Sequence, residues 1–321
     1  MNSSDKIRSL AGMQQSRLLP LIGKEYVLYG LPYYSNIGDT LIWEGTLQML
    51  RHGDSRCRGV CGWDRYPMRP LPEDVTILIQ GGGYFGDVWR KAWERVLGEL
   101  AIHKDNRVVI LPSSIWYDDP AVLEKDVRLL SGIKKLVICA RDSRSYDFAR
   151  AHFDNETLLA PDMAFAIDPE TLSEWILPET RDCLYLKRND KEFVERDVHI
   201  PATADVADWP TMSDSSLRER LVYGIDIASK MVRKIPLVSR AAGALNDSAY
   251  YHIYRKEMLS RGVQFISPYR TVYTTRLHGL VLSALLDKQT FFLDNSYGKV
   301  SALYSTWLQD TDNIKPAADV R

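Results

Sequence analysis

The sequence predicts an α/β protein of two Rossmann-like domains facing each other across a cleft, and three observations predict it. Apolar, β-branched strands alternate with amphipathic helices along the chain, the pattern of parallel sheets with helical crossovers. The turns after these strands carry Gly, Asn, Asp or Arg, at the carboxyl edge where open α/β sheets bind their ligands. Pro169 and Pro178 then bracket a polar stretch, and the strand–helix pattern restarts at CLYLKR (183–188). The domains are accordingly placed at residues 1–175 and 176–321.

In order, residues 1–20 read as polar with a short helix ending before Pro20, and EYVLYG (25–30) as the first core strand. The loop LPYYSNIGD follows, and Asp39 reads as the cap of a helix from Thr40 to Leu50 with Ile42, Thr46, Met49 and Leu50 on its apolar face. A weak strand at 58–61 and a Pro-rich loop precede the strong strand VTILIQ (75–80), which runs into the turn Gly81-Gly82-Gly83-Tyr84-Phe85-Gly86. A helix over 88–103 places Trp89, Trp93, Val96, Leu97 and Leu100 on its buried side. Strand RVVILP (107–112), a helix at 120–131, strand KLVICA (135–140), a helix after Arg141-Asp142 and the strand-like TLLAPDMAF (157–165) complete the first half. After 183–188 comes a long charged loop (189–210), helices at 214–234 and 246–261, and strand VQFIS (263–267). The unit TVYTTRLHGLVLSALL (271–286) passes from strand directly into helix, and strand TFFLD (290–294) and a helix at 299–309 close the chain. No low-complexity segment or fixed-period repeat interrupts this order.

Composition narrows the function. A net charge of −1 gives no global field toward nucleic acid or an anionic surface, so an anionic ligand must be held by local cations. No apolar run approaches the ~20 residues of a membrane span, and MNSSDKIRSLAGMQQS lacks a signal-peptide core. Cys57 and Cys61 are three residues apart, but no second Cys/His pair follows at zinc spacing. Free thiols in a reducing cytoplasm are the simplest expectation.

Several turns could carry chemistry. In the unit 271–286, Arg276 and His278 stand at a strand–helix junction and are aimed at the ligand edge; the plain alternative is an ion pair and a polar helix start. Gly81, Gly82 and Gly83 let backbone approach a ligand closely, or simply form a tight turn. They match neither a dinucleotide fingerprint nor a Walker A loop. Asn36 and Asp39 can bond sugar hydroxyls, with helix capping as the alternative. Arg141 follows a strand at its carboxyl end, and Asp142 can cap the next helix and pair with Arg144. Lys299 at a helix start opposes the helix dipole, which a nearby bound anion would explain. Convergence of Arg276, His278, Lys299 and Arg141 would suit a small, highly anionic substrate. Two features are discounted: Trp89 and Trp93 read as core rather than sugar platforms, and RNDKE (188–192) as a solvated loop, although Lys187 and Arg188 lie where a cleft-facing cation could sit.

Six stretches, SNIGDTLIWEG, LIQGGGYFGD, ARDSRSYDFA, APDMAF, TTRLHGLVLSALL and DNSYGKVSALY, fall in order from residue 35 to 304. Together they resemble the polysaccharide pyruvyl transferase family. The resemblance implies a glycosyltransferase-B-like fold, phosphoenolpyruvate as donor, and a pyruvate ketal formed on two hydroxyls of a sugar in a bacterial surface polysaccharide or its lipid-linked precursor. It matches Arg276, Leu277 and His278 to the family's Arg-Leu-His motif, and Arg141 to an Arg-Asp motif expected to hold the donor. The expectation is of catalytic His278 and Arg276, a donor side on the C-terminal half with Lys299, Arg276 and Leu277, joined by Arg141 from the N-terminal half, and acceptor or loop contacts from Asn36, Asp39 and Gly81 to Gly83. No metal or cofactor and no nucleic acid enter this scheme. The location is cytoplasmic, reaching the inner membrane face through a lipid-linked acceptor. Residues 189–210 carry no family signal, so the acceptor sugar is undefined. The alternatives are a sugar-nucleotide glycosyltransferase of the same fold and a non-catalytic carbohydrate-binding relative.

Overall fold

The computed structural model describes residues 2–190, 192–195, 198–210, 215–232 and 235–317. Its first half is a sheet of seven parallel strands: β1 (Glu25–Leu31), β2 (Arg56–Gly62), β3 (Val75–Ile79), β4 (Gly82–Gly86), β5 (Arg107–Trp116), β6 (Lys135–Ala140) and β7 (Glu156–Leu159). The order is β2-β1-β3-β5-β6-β7, with β4 paired to the second half of β5. Period-two alternation assigns the faces. Val27, Tyr29, Ile77, Ile79, Val108, Ile110 and Ile138 share a core with α3 (Arg90–Leu100), α4 (Pro120–Ser131) and α5 (Ser143–His152). Leu28, Leu78, Val109 and Val137 point the other way, into a core shared with α1 (Ser3–Leu18) and α2 (Ile37–Leu50).

The second half has a sheet of five parallel strands, β8 (Arg181–Leu186), β9 (Asp205–Ala207), β10 (Tyr269–Thr274), β11 (Gln289–Phe292) and β12 (Ile314–Pro316), in the order β12-β11-β10-β8-β9. Its helices are α6 (Leu217–Met231), α7 (Pro236–Ala249), α8 (Arg255–Ile266), α9 (Leu277–Leu285) and α10 (Lys299–Trp307); a π-helical turn, Tyr250–Tyr254, joins α7 to α8. Leu184, Leu186, Val272, Phe292 and Ile314 enter the same core as α1, α2, α8 and α9, so one apolar core links both sheets. On the opposite face, Tyr185, Tyr273 and Phe291 are half-buried and lie outside both cores. No described helix is long and apolar enough to cross a membrane. Cys57, Cys61, Cys139 and Cys183 are free thiols.

Several sequence expectations are corrected. Residues 263–266 are helical and Ser267 is the C-cap, so 263–267 is not a strand: Arg255, Met258, Leu259, Gly262, Val263 and Ile266 are buried at helical spacing, and this stripe outweighs the β-branched local composition. The expected helix at 246–261 begins earlier and continues from α7 through the π turn into α8. Of the expected strand 157–165 only β7 pairs; Asp162 caps a 3-10 turn at Met163–Ala166. The turn 81–86 is largely strand, as β4, while β9 and β12 were not anticipated. Position 214 and residues 233–234 of the expected helix 214–234 lie outside the described residues.

Candidate active site

Strand β6 ends at Ala140, and Arg141 turns inward beneath β4. The guanidinium is 1% exposed. Its Nε donates to Ser114 Oγ at 2.9 Å and its Nη1 to Asp162 Oδ2 at 2.8 Å, while Nη2 faces Gly83. Ser114 in turn donates to Asp142, which accepts from Ser145 N as the N-cap of α5. Arg144 does not pair with Asp142; it reaches the Tyr297 carbonyl and lies 4.1 Å from the centre of the Trp116 ring. From the second half, Trp307 Nε1 donates to the Arg141 carbonyl at 2.7 Å, tying α10 to the end of β6.

Asp162 is fully buried and faces both Arg141 and His278. Burial by itself would raise its carboxyl, but His278, Arg141 and the Ala164 N–H hold it well below the usual carboxylate range. His278 Nε2 lies 3.5 Å from Asp162 Oδ2, ion-pair distance without hydrogen-bond geometry. The imidazole sits in the first turn of α9 against the first turn of α2, where a Cβ on Gly38 would stand 2.5 Å from Nδ1. That α2 turn is capped by Asn36, not by Asp39: Asn36 Oδ1 accepts from Asp39 N at 3.3 Å. The Asp39 carboxylate instead accepts from Asn36 Nδ2 and Tyr34 Oη, both at 2.8 Å.

The remaining cations are each engaged. Arg276, the residue preceding α9, donates twice to Asp208 and stands 3.3 Å from Asp190. Arg188, 4% exposed, donates to Asp190 at 2.9 Å and to Glu192 at 2.8 Å. The expected solvated loop at 188–192 is thus buried at Arg188 and Glu192, while Asn189 is exposed. Lys187 instead packs over Phe193, 4.8 Å from the ring centre. Lys299 opens α10 and its Nζ binds Glu192, which also accepts from Asn295 Nδ2 at 3.0 Å. Burial pushes the Lys299 ammonium down to about 8 despite Glu192, with Arg188 adding to the shift. Burial would raise Glu192, yet Lys299 and Arg188 hold it at about 2. The expected convergence of cations is present, but Asp162, Asp190, Glu192 and Asp208 neutralise it pairwise. The anion beside Lys299 is a side chain of the protein itself.

These groups border one cavity of about 680 Å³ between the two sheets. That size lies within the usual span of ligand pockets, ~300–1,000 Å³. Asn36, Asp39, Gly83, Arg141, Arg276, Leu277, His278 and Lys299 all line it. Gly81 does not, being packed against the Pro112 carbonyl; nor does Gly82, whose missing Cβ leaves room for the Tyr84 ring. The lining is also rich in aromatic rings: Tyr34, Trp63, Tyr66, Tyr84 and Trp89, with Trp209 from the second half. Trp89 is 42% exposed there, with Nε1 3.3 Å from Glu192, and only Trp93 of the pair is core. Sequence reasoning missed Asp162, Asp190, Glu192 and Asp208, while Arg188, noted as a possible cleft-facing cation, does line the cavity. The one local signal was APDMAF, which contains Asp162 without revealing its role. No group of three metal-ligating side chains occurs among the described residues.

Fold and site together define an α/β protein with a cavity bordered by two parallel sheets, the kind of place where open α/β sheets bind ligands. A family model, polysaccharide pyruvyl transferase, matches residues 36–297. EpsO of Bacillus subtilis, which carries a pyruvyl transferase name, is 30% identical over 97% of this chain and 95% of its own. Pyruvyl transferase 1 of Schizosaccharomyces pombe is 25% identical over 89% of this chain and 70% of its own. A functionally uncharacterised Klebsiella pneumoniae protein of known structure superposes with a TM-score of 0.60 at 19% identity, covering 92% of this chain and 93% of that one, which supports the fold alone. The chain belongs to the polysaccharide pyruvyl transferase family and is a transferase with a saccharide acceptor.

Proposed function

We propose that this protein transfers the pyruvyl group of phosphoenolpyruvate to two hydroxyls of one sugar, forming a ketal in a cell-surface polysaccharide or its lipid-linked precursor. In this reading the two halves, 1–175 and 176–321, act as the facing domains of a glycosyltransferase-B-like enzyme at the cytoplasmic side of the membrane. The observation that carries it is the buried Arg141–Asp162 pair with His278 beside it, at a single cavity that aromatic side chains also line. A small, highly anionic donor suits the first; sugar rings stack well on the second.

Transfer begins with a proton delivered to the donor methylene, making a methyl group and an oxocarbenium-like carbon. One sugar hydroxyl adds to that carbon, the C–O bond to phosphate breaks, and the second hydroxyl closes the ring. Of the two hydroxyl protons released, one balances the proton now on the methyl and the other leaves with phosphate. His278 is the proton-transfer residue, since imidazole exchanges protons near neutrality. Asp162 balances the charge the imidazole carries while it holds a proton. Arg141 offers Nη2 to the donor, and Arg276 and Lys299 reach it by exchanging Asp190, Asp208 or Glu192 for donor oxygens. Leu277 packs beside the donor, Gly83 leaves room for it, and Asn36 and Asp39 bond acceptor hydroxyls. No resident metal is assigned, so chelators should leave activity intact; loss restored by a divalent ion would contradict this.

The decisive experiment is thermal unfolding with candidate donors. Phosphoenolpyruvate should raise Tm in proportion to ln(1 + [L]/Kd), and common sugar nucleotides should not. The reverse ranking would remove this reading in favour of a sugar-nucleotide glycosyltransferase. Release of inorganic phosphate with a ketal-bearing sugar product completes the assignment and excludes a binding-only role.

A further inference from the structure

Helices α6 and α7 carry the largest grouping of exposed apolar side chains among the described residues. Leu217 is 83% exposed, Met231 80%, Ile227 and Leu245 60%, and Leu221 59%. An exposed stripe of this extent on a folded chain marks an interaction surface rather than chance exposure. The helices are not loosely hung. Tyr250 stacks on Tyr33 with ring centres 4.1 Å apart, Tyr223 and Tyr254 join hydroxyls at 3.0 Å, and Val222 is fully buried. Their inner face is thus fixed to the body, and the apolar outer face is held outward.

Charge on the same two helices is sorted by side. None of their three acids is exposed: Glu219 is buried against Arg261, Asp226 bridges Arg65 and Lys230, each at 2.6 Å, and Asp247 is half-buried. Arg220 and Arg240 are exposed, as are Arg218 and Lys230, which pair with Glu257 at 3.2 Å and with Asp226 at 2.6 Å. The outer face therefore combines Leu, Ile and Met with basic side chains and shows no exposed acid. We propose that the outer face of α6 and α7 docks this protein onto an anionic lipid bilayer, with the apolar side chains entering the headgroup boundary and the basic ones facing lipid phosphates. Basic amphipathic surfaces bind membranes by those two contributions together. The α6 end of this surface adjoins the cavity, because Asp64 and Arg65, which pair with Lys230 and Asp226, directly follow the cavity residue Trp63. A lipid-anchored acceptor would then enter from the membrane side, and that clause alone rests on the proposed function.

The test uses the full chain, without substrate, and vesicles of phosphatidylcholine with or without an equal part of phosphatidylglycerol. Sedimentation with the anionic vesicles is expected, weakening as salt is raised. Leu221→Ser/Met231→Ser should reduce binding at least ~10-fold, on the scale of the apolar transfer lost. Arg220→Gln should reduce it ~5-fold, the worth of one basic group near an anionic surface. Each site is exposed, so Tm should be unchanged, and a Tm readout verifies that the variants are folded. Leu221→Trp should show a blue-shifted emission on anionic vesicles. Equal binding to neutral vesicles, binding indifferent to these variants, or a self-association in solution that the variants abolish while vesicles bind nothing would each overturn the proposal. None of these results bears on donor chemistry, so the pyruvyl transfer reading stands or falls separately.

Discussion

His278 and Arg141 share one buried carboxylate, and removing either should have a different consequence. His278→Ala should keep the fold and lower turnover by ~100-fold or more, the usual scale of lost acid–base assistance. A variant that melts far below the parent but keeps its activity per folded molecule would make the histidine structural. Arg141→Ala instead leaves Asp162 buried with only His278 beside it, a loss of up to ~3–5 kcal/mol by comparison with broken buried pairs. Its Tm should fall, and Arg141→Ala/Asp162→Ala should recover part of the loss while the donor KM stays high. Lys299 sets a pH limit. With its ammonium lowered to about 8, donor affinity should fall as pH rises through that value, read as a rising donor KM with acceptor KM flat. Glu192 acts at the other end: its folded value of about 2 lies below the unfolded one, so its stabilisation is complete above the unfolded value and lost as pH falls toward 2. Arg276 and His278 could be singled out locally because the strand–helix junction aims them; Asp162, Glu192 and Asp208 could not, since a carboxylate's partner is chosen by distant chain.

Helix α2 shows how one element serves both packing and chemistry. Gly38 gives His278 its place, and two turns on Gly45 lets the helix lie against the Met163 backbone, whose carbonyl a Cβ would strike. Gly38→Ala should therefore cost activity more than stability, because the imidazole can shift into the cavity. Gly45→Ala meets backbone on a buried face and should lower Tm markedly, ~1–3 kcal/mol for overpacking. Equal effects on both measurements in both variants would refute this division. The first-half strands and helices were legible because their apolar spacing is regular. The α7–α8 run was misread at its end: Val263 and Ile266 favour strands in isolation, and only their register with Met258 and Leu259 reveals a helix. Strands β9 and β12, three residues each, carry too short a pattern to recognise.

Across the whole molecule, the shared core makes the halves interdependent. Residues of α1 and α2 pack with α8 and α9 into one apolar cluster that reaches both sheets. A single unfolding transition is expected for the full chain, and a fragment ending at residue 175 should expose that face and aggregate or remain partly folded. Two separated transitions, or a stable monomeric fragment, would show the halves to be autonomous. The sequence by itself determined the α/β class, most of the parallel strands of the first half, the strand–helix unit at 271–286 and the family, because these depend on local periodicity and on short motifs in order. Tertiary structure alone decided which cations are neutralised, that Trp89 faces the cavity, and that Gly83 rather than Gly81 or Gly82 borders it. Those outcomes depend on which strand ends meet across the cleft, and pairwise distance between remote segments is not written in the spacing of either one.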